Sequence, residues 1–185
     1  MIMPLRTSFI SSCVVPVFWA ITAREFFENA RRIKKVTDAF GVPLIINDRV
    51  DIALAVDADG VHLGQSDLPA RVARKLLGPE KIIGVSARNT ALAQAAEEDG
   101  ADYLGVGAMY ATGTKQDAKV ITREELLAIR AAVKIPIVAI GGIKQKNVKD
   151  LKNTGIDGLA VVSAVIAAED IQNAAREMAE EFRRR

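Results

Sequence analysis

The chain has 185 residues, half of them hydrophobic, which is enough apolar material for the core of one domain. Its formal net charge is +2 and no run of basic residues is interleaved with aromatic residues, so the composition argues against a nucleic-acid-binding protein. The one cysteine, Cys13, excludes an internal disulfide framework and a multi-cysteine metal site.

Residues 1–21 differ in character from the rest and are interpreted as a divergent N-terminal segment ahead of a domain formed by residues 22–185. The apolar run from Phe9 to Ala23 is interrupted by Pro16 and by serines, and it is too short to cross a bilayer. No clean signal-peptide cleavage site follows, so a cytoplasmic protein that binds no membrane is expected. Because residues 8–20 are rich in β-branched and aromatic side chains, they are predicted to pack against the sheet beside residues 44–46.

From Thr22 onward the sequence alternates between helix and strand patterns. Thr22 and Glu25 have the spacing of a capping box, which predicts a helix that begins there and ends at Gly41. A second box, Thr122 and Glu125, predicts a helix over residues 122–133, and the apolar spacing from 171 to 182 predicts a last helix. Short apolar runs predict six buried strands, at residues 43–46, 60–63, 81–85, 102–106, 135–140 and 158–162.

This alternation predicts an α/β fold with a parallel sheet covered by helices. The segments 58–61 (ADGV), 101–104 (ADYL) and 156–159 (IDGL) form a weak repeat in which an acidic turn leads into a strand. A parallel sheet can be open and doubly wound or closed into a (β/α) barrel, and repeated short units favour the barrel. An eight-stranded barrel typically needs at least ~200 residues, so two of its units are not accounted for.

Functional residues of parallel β/α folds follow the carboxyl ends of the strands. Asp48 and Asp67 follow the first two predicted strands, and two carboxylates on neighbouring strands can share one Mg²⁺ with substrate phosphates. Thr112, Thr114 and Lys115 place two hydroxyls and a cation in one loop, which suits a phosphate.

Two glycines after the fifth strand, Gly141 and Gly142, let backbone N–H groups approach a second anion. Each feature alone has a simpler explanation, since an Asp after a strand is usually a helix cap and Gly-Gly is usually a turn. His62 lies inside a strand run and is interpreted as a structural histidine rather than a metal ligand. Together, the strand ends indicate a reaction between two phosphorylated substrates.

The sequence resembles the thiamine phosphate synthase family in five segments that follow one another in the family's order and spacing. They are residues 42–49 (VPLIINDR), 59–67 (DGVHLGQSD), 83–86 (IGVS), 112–115 (TGTK) and 140–143 (IGGI). The resemblance runs from about Thr22 to the C-terminus. It implies a TIM barrel that joins hydroxymethylpyrimidine diphosphate to thiazole phosphate, with release of diphosphate, in thiamine biosynthesis.

The resemblance also implies a role for each matching residue. Mg²⁺ is the implied cofactor, held by Asp48 and Asp67, and the implied catalytic residues are Ser86 and Lys115. The implied substrate-binding residues are Asn47, Ser86 and Lys115 for the pyrimidine diphosphate, and Thr112, Thr114, Gly142, Val162 and Ser163 for the thiazole phosphate. The family's chemistry is dissociative: diphosphate leaves, and the thiazole nitrogen captures a pyrimidine-methyl cation. Such a reaction needs positioning and charge stabilisation more than a general base.

Residues 1–21 contain no counterpart of the Gln-Leu-Arg-x-Lys motif that ends the family's second strand. The first two β/α elements are therefore expected to be missing or replaced there, and the lost cations predict diphosphate binding weakened about tenfold or more. Two other functions remain open: a related thiazole tautomerase, and a non-catalytic phosphate-binding barrel that forms homo-oligomers through open strand edges. Asp48, Asp67 and the TGTK loop favour the synthase, because an isomerase has no diphosphate to ionise.

Overall fold

The computed structural model describes residues 22–111 and 119–183. The helices are α1 (Ala23–Ala39), α2 (Val50–Ala55), α3 (Ala70–Leu77), α4 (Thr90–Glu98), α5 (Arg123–Ala132), α6 (Ser163–Ile166) and α7 (Ile171–Arg183), with a 3₁₀ helix at Val148–Leu151. The strands are β1 (Ile45–Asn47), β2 (Gly60–Leu63), β3 (Ile82–Ala87), β4 (Tyr103–Val106), β5 (Ile137–Ile140) and β6 (Gly158–Ala160). No helix in these two ranges is both long and apolar enough to cross a membrane.

All six predicted strands are present, and they form one parallel sheet in the order β1-β2-β3-β4-β5-β6. Each strand pairs with the next strand along the chain, so the order of the six described strands reverses at no point. An open doubly wound sheet has such a point, whereas a TIM barrel does not. The prediction of an α/β fold with barrel-like strand order is therefore confirmed.

Alternate residues of the strands face opposite sides of the sheet, as the period of a strand requires. One face packs on the helices in a large core, to which Ile83, Leu104 and Ile137 contribute from the strands and Phe26 and Leu126 from the helices. The other face, which we term the inner face, carries a smaller apolar cluster: Tyr103, Val138, Ala160 and the partly buried Ile82. Both faces thus bury apolar side chains, which explains why the strands read as continuous apolar runs.

Both predicted capping boxes are present. Thr22 accepts from the backbone N–H of Glu25 at the start of α1, and Thr122 accepts from that of Glu125 at the start of α5. The two glutamates return the bond to the backbone N–H of their threonines, at 2.8 Å in each case. After α1, Gly41 adopts a φ of +63°, which glycine reaches without strain and which ends the helix as expected.

The repeated acidic turns have a structural explanation at the amino edge of the sheet. An aspartate stands just before each even-numbered strand: Asp59 before β2, Asp102 before β4 and Asp157 before β6. Its carboxylate accepts from a backbone N–H at or beside the start of the preceding strand, at 2.7–2.9 Å. The same carboxylates pair with cations of the preceding odd-numbered helices: Lys34 of α1, Arg74 of α3 and Arg130 of α5. The repeat therefore ties helix and strand pairs together on the side opposite to the functional residues.

Some boundaries differ from the prediction. Asn47, expected just after the first strand, is the last residue of β1, because it pairs with His62 of β2. The third strand extends to Ala87 and includes Ser86, whose neighbour Gly105 in β4 continues the ladder. The predicted strand within residues 8–20 lies outside the described residues.

Candidate active site

The polar residues singled out in the sequence gather at the carboxyl edge of the sheet, where parallel strands of sequential order all end. Asn47 and Asp48 stand at the end of β1, Asp67 follows β2, and Ser86 lies near the end of β3. Gly142 follows β5, and Val162 and Ser163 follow β6. Thr112, Thr114 and Lys115 belong to a segment after β4 that lies outside the described residues.

The two aspartates proposed for the metal are fixed by backbone hydrogen bonds. Asp48 adopts a φ of +64°, and its N–H donates to the carbonyl of His62 in the neighbouring strand β2 at 2.8 Å. Asp67 accepts from the Gly64 N–H through Oδ2 at 2.7 Å, which closes the turn after β2. Both aspartates are half-buried, and they lie beyond the carboxyl ends of the adjacent strands β1 and β2.

The cation beside Asp48 in the sequence is engaged elsewhere. The Arg49 guanidinium donates to both carboxylate oxygens of Asp51, at 2.8 and 2.6 Å. This hydrogen bond lowers the pKa of Asp51. Asp51 thus offsets the Arg49 charge next to the candidate metal site.

Ser86 is held on two sides. Its hydroxyl lies 3.0 Å from Nε2 of His62, and its carbonyl accepts from the side-chain amide of Gln65 at 2.5 Å. The other ring nitrogen of His62, Nδ1, lies 3.0 Å from the hydroxyl of Tyr103 in β4. Burial, with a smaller effect from Asp102, raises the pKa of Tyr103 well above its ordinary value, so its phenol is neutral.

The loop after β5 is packed closely against the chain that follows β4. Gly141 and Gly142 have φ values of +93° and +68°, which favour glycine. A Cβ on Gly142 would lie 2.6 Å from the carbonyl oxygen of Tyr110 and 2.8 Å from that of Ala111. The Asn147 side chain donates to the Gly142 carbonyl at 3.1 Å. The sequence therefore needs glycine here for both conformation and space, and not only for a turn.

His62, Gln65 and Tyr103 were not among the predicted functional residues. The sequence interpretation of His62 as a structural histidine agrees with the contacts of its ring, since both ring nitrogens lie against protein hydroxyls. The connection was hidden in the sequence because Ser86 and Tyr103 lie 24 and 41 residues away from His62. The strand register would have revealed it, since His62 pairs with Gly84 and Gly84 pairs with Tyr103.

Within the described residues, no group of three or more His, Cys, Asp or Glu side chains could hold a metal. A closed, all-protein metal centre is therefore not found in residues 22–111 and 119–183. Mg²⁺ commonly binds through one or two carboxylates with substrate phosphates supplying further ligands. A pair such as Asp48 and Asp67 fits that mode of binding.

Comparison with known proteins gives a consistent result. The sequence profile of a family described as thiamine monophosphate synthase matches residues 18–165. The thiamine-phosphate synthase of Clostridium botulinum is 57% identical over 161 residues, which cover 87% of this chain and 76% of that protein. That of Clostridium beijerinckii is 60% identical over 158 residues, with coverage of 85% and 76%.

Solved structures agree with the sequence matches. A thiamine phosphate pyrophosphorylase from Pyrococcus furiosus superposes with a TM-score of 0.85 at 38% identity, covering 97% of this chain and 90% of that one. A 3-hexulose-6-phosphate synthase superposes with a TM-score of 0.63 at 20% identity, which shows similarity of fold alone.

Proposed function

The chain belongs to the thiamine-phosphate synthase family, and we propose on that premise that it joins hydroxymethylpyrimidine diphosphate to thiazole phosphate and releases diphosphate. The observation that carries the proposal is the common position of the family's motif residues. Asn47, Asp48, Asp67 and Ser86 lie at the carboxyl ends of the first three strands, and Gly142 and Ser163 follow the last two. Two phosphorylated substrates could therefore meet across one edge of the sheet.

The pyrimidine diphosphate is assigned to the β1–β3 side. Asn47 would bind the pyrimidine, and Ser86 would donate its hydroxyl proton to the diphosphate, together with the cation of Lys115. Asp48 and Asp67 would hold Mg²⁺, whose charge offsets that of the diphosphate leaving group. Placing donors and cations where negative charge develops favours departure of the diphosphate, because the bond to the pyrimidine methylene then breaks at lower cost.

The thiazole phosphate is assigned to the β4–β6 side. Backbone N–H groups near Gly142, Val162 and Ser163 would bind its phosphate, with Thr112 and Thr114 as further donors. Binding of the phosphate would hold the thiazole nitrogen opposite the carbon that loses diphosphate. The two bound substrates would then react as in a unimolecular step, which lowers the entropic part of the barrier. This arrangement agrees with the lack of a predicted general base.

The proposal extends to the complete fold. Residues 22–185 would form a (β/α) barrel domain, and its six described strands would correspond to six of the eight strands of a TIM barrel. Supporting evidence is the sequential order of the six strands and the second apolar cluster on the inner face of the sheet.

The metal assignment is tested by diphosphate release with both substrates over a range of Mg²⁺ concentrations. Asp48→Asn is expected to raise the Mg²⁺ concentration for half-maximal turnover by about tenfold or more, since even outer-shell ligand partners cost that much when removed. Asp99→Asn is the matched control, because Asp99 caps the end of α4 at the opposite edge of the sheet. Equal Mg²⁺ requirements for the two variants would contradict the assignment.

A further inference from the structure

His62 is the only histidine of the chain, and it lies half-buried on the inner face of the sheet. It bridges two hydroxyls that belong to other strands: Tyr103 Oη at Nδ1 and Ser86 Oγ at Nε2, both at 3.0 Å. The His62 and Tyr103 rings are 5.5 Å apart between centroids and inclined by 36°. These two contacts, which we call the Tyr103–His62–Ser86 bridge, connect β4 through β2 to the Ser86 side chain of β3.

Two glycines make room for these rings. A Cβ on Gly84 would lie 2.1 Å from Cζ of Tyr103, and a Cβ on Gly105 would lie 2.7 Å from Cε1 of His62. Gly84 is the register partner of both His62 and Tyr103, and Gly105 is the partner of Ser86. Any larger residue at either glycine would displace one ring of the bridge, so the space for it is built into β3 and β4.

The chemistry of the three groups gives the bridge a direction. Among the described residues, Nδ1 of His62 is the one hydrogen-bond partner of the buried Tyr103 hydroxyl, so the neutral phenol donates its proton there rather than leaving it without an acceptor. A neutral imidazole that accepts at Nδ1 carries its hydrogen on Nε2, and Nε2–H then donates to Ser86 Oγ. With Oγ accepting from His62, the Ser86 hydroxyl hydrogen points to another acceptor. The Gln65 side-chain amide donates to the backbone carbonyl of Ser86, which limits rotation of the backbone at Ser86.

We propose that His62 is a positioning residue: it fixes Ser86 Oγ through Nε2–H and directs the Ser86 proton to the diphosphate of the pyrimidine substrate. The inference rests on the proposed function, in which Ser86 donates to that diphosphate. A hydroxyl held in its donating orientation binds an anion more strongly than a freely rotating one, because the orientation is set before the substrate arrives. His62 itself need not touch either substrate.

The test is a double-mutant cycle between His62 and Ser86, read as KM for each substrate. Ser86→Ala is expected to raise KM for the pyrimidine diphosphate about tenfold, the typical effect of losing one hydrogen bond to a charged group. His62→Asn, which has no nitrogen at the position of Nε2, is expected to raise the same KM about three- to tenfold. In the Ser86→Ala background His62→Asn should add less than about twofold, and KM for thiazole phosphate should stay within about twofold throughout.

The matched variant is His62→Gln, whose amide nitrogen lies near the position of Nε2 and can still donate to Ser86. Its KM is expected to stay close to that of the unchanged chain. An equal loss from His62→Asn with and without Ser86 would mean a general effect on the sheet and would overturn the inference. Turnover by the unchanged chain together with an unaltered KM in Ser86→Ala would also overturn it, while the proposed reaction would stand.

A second measurement does not depend on activity. Long-range ¹H–¹⁵N NMR of the untagged protein shows one imidazole, because the chain has one histidine. The expected spectrum at neutral pH is that of the Nε2–H tautomer, and Tyr103→Phe should populate the Nδ1–H form in addition. A dominant Nδ1–H tautomer in the unchanged protein would reverse the bridge and refute the inference.

Discussion

Replacing Gly142 by alanine perturbs the candidate thiazole phosphate site in a way whose size follows from the structure. The φ of +68° costs a residue with a side chain roughly 1–2 kcal/mol. The added methyl would in addition lie 2.6 Å from the Tyr110 carbonyl oxygen, so the two segments would have to separate by roughly 0.8 Å to reach ordinary contact at 3.4 Å. Misplacement of about 1 Å can reduce a rate about a hundredfold.

Gly41→Ala is the matched control for this substitution. Gly41 has nearly the same conformation, with a φ of +63°, but apart from its two neighbours in the chain no atom of the described residues lies within 4 Å of the position that its Cβ would occupy. It should therefore lose stability through strain alone, about 1–2 kcal/mol by chemical unfolding, and keep its kinetics.

Steady-state assays with each substrate varied in turn distinguish the two variants. Gly142→Ala is expected to raise KM for thiazole phosphate about tenfold or more and to change KM for the pyrimidine diphosphate less. An equal loss for both substrates, or kinetics like those of Gly41→Ala, would refute the assignment of Gly142 to the thiazole phosphate.

Three further predictions concern stability and the N-terminal segment. Asp102→Ala removes the carboxylate that accepts from the Ile83 N–H and from Arg74, so the free energy of unfolding in urea should fall by about 2–3 kcal/mol. In the control variant Asp99→Ala it should fall by less than about 0.5 kcal/mol. Hydrogen bonds from Thr22, Arg49 and Thr122 lower the pKa values of Glu25, Asp51 and Glu125 respectively. The ionised carboxylates therefore stabilise the folded state at neutral pH, and this contribution is lost as the pH falls below the usual values of 4.5 for Glu and 3.8 for Asp. The urea midpoint of unfolding is expected to be lower at pH 3 than at pH 7. A chimera with the family's first two β/α units ahead of Thr22 should turn over about tenfold faster at low pyrimidine diphosphate, and equal turnover would refute the expectation drawn from residues 1–21.

The sequence predicted the sheet well because its signals are local. Apolar runs marked all six strands, and acidic turns marked the beginnings of three of them. Thr22 and Thr122 marked the beginnings of two helices through bonds that span only three residues. The barrel-like order also followed from the repeated short units. Strand ends were less certain, since Asn47 and Ser86 belong to strands only through pairing with neighbours.

The sequence did predict the place of residues that follow a strand within a few positions, since Asp48, Asp67 and Gly142 lie beyond the carboxyl ends of β1, β2 and β5. The part that was missed depends on contacts between strands. His62 and Tyr103 meet because Gly84 between them has no side chain, and a one-dimensional pattern does not show which glycine lies opposite which ring. The threefold aspartate repeat was recognised as a turn signal, but its bonds to the preceding strand and helix appear only when the chain is folded.

The most direct test of the proposed function is formation of thiamine phosphate by the purified chain with Mg²⁺ and both substrates, measured by mass spectrometry. We expect product and diphosphate in equal amounts when both substrates are present, and no product when either is omitted. Binding of both phosphorylated compounds without product, under conditions in which a related synthase turns over, would contradict the proposal.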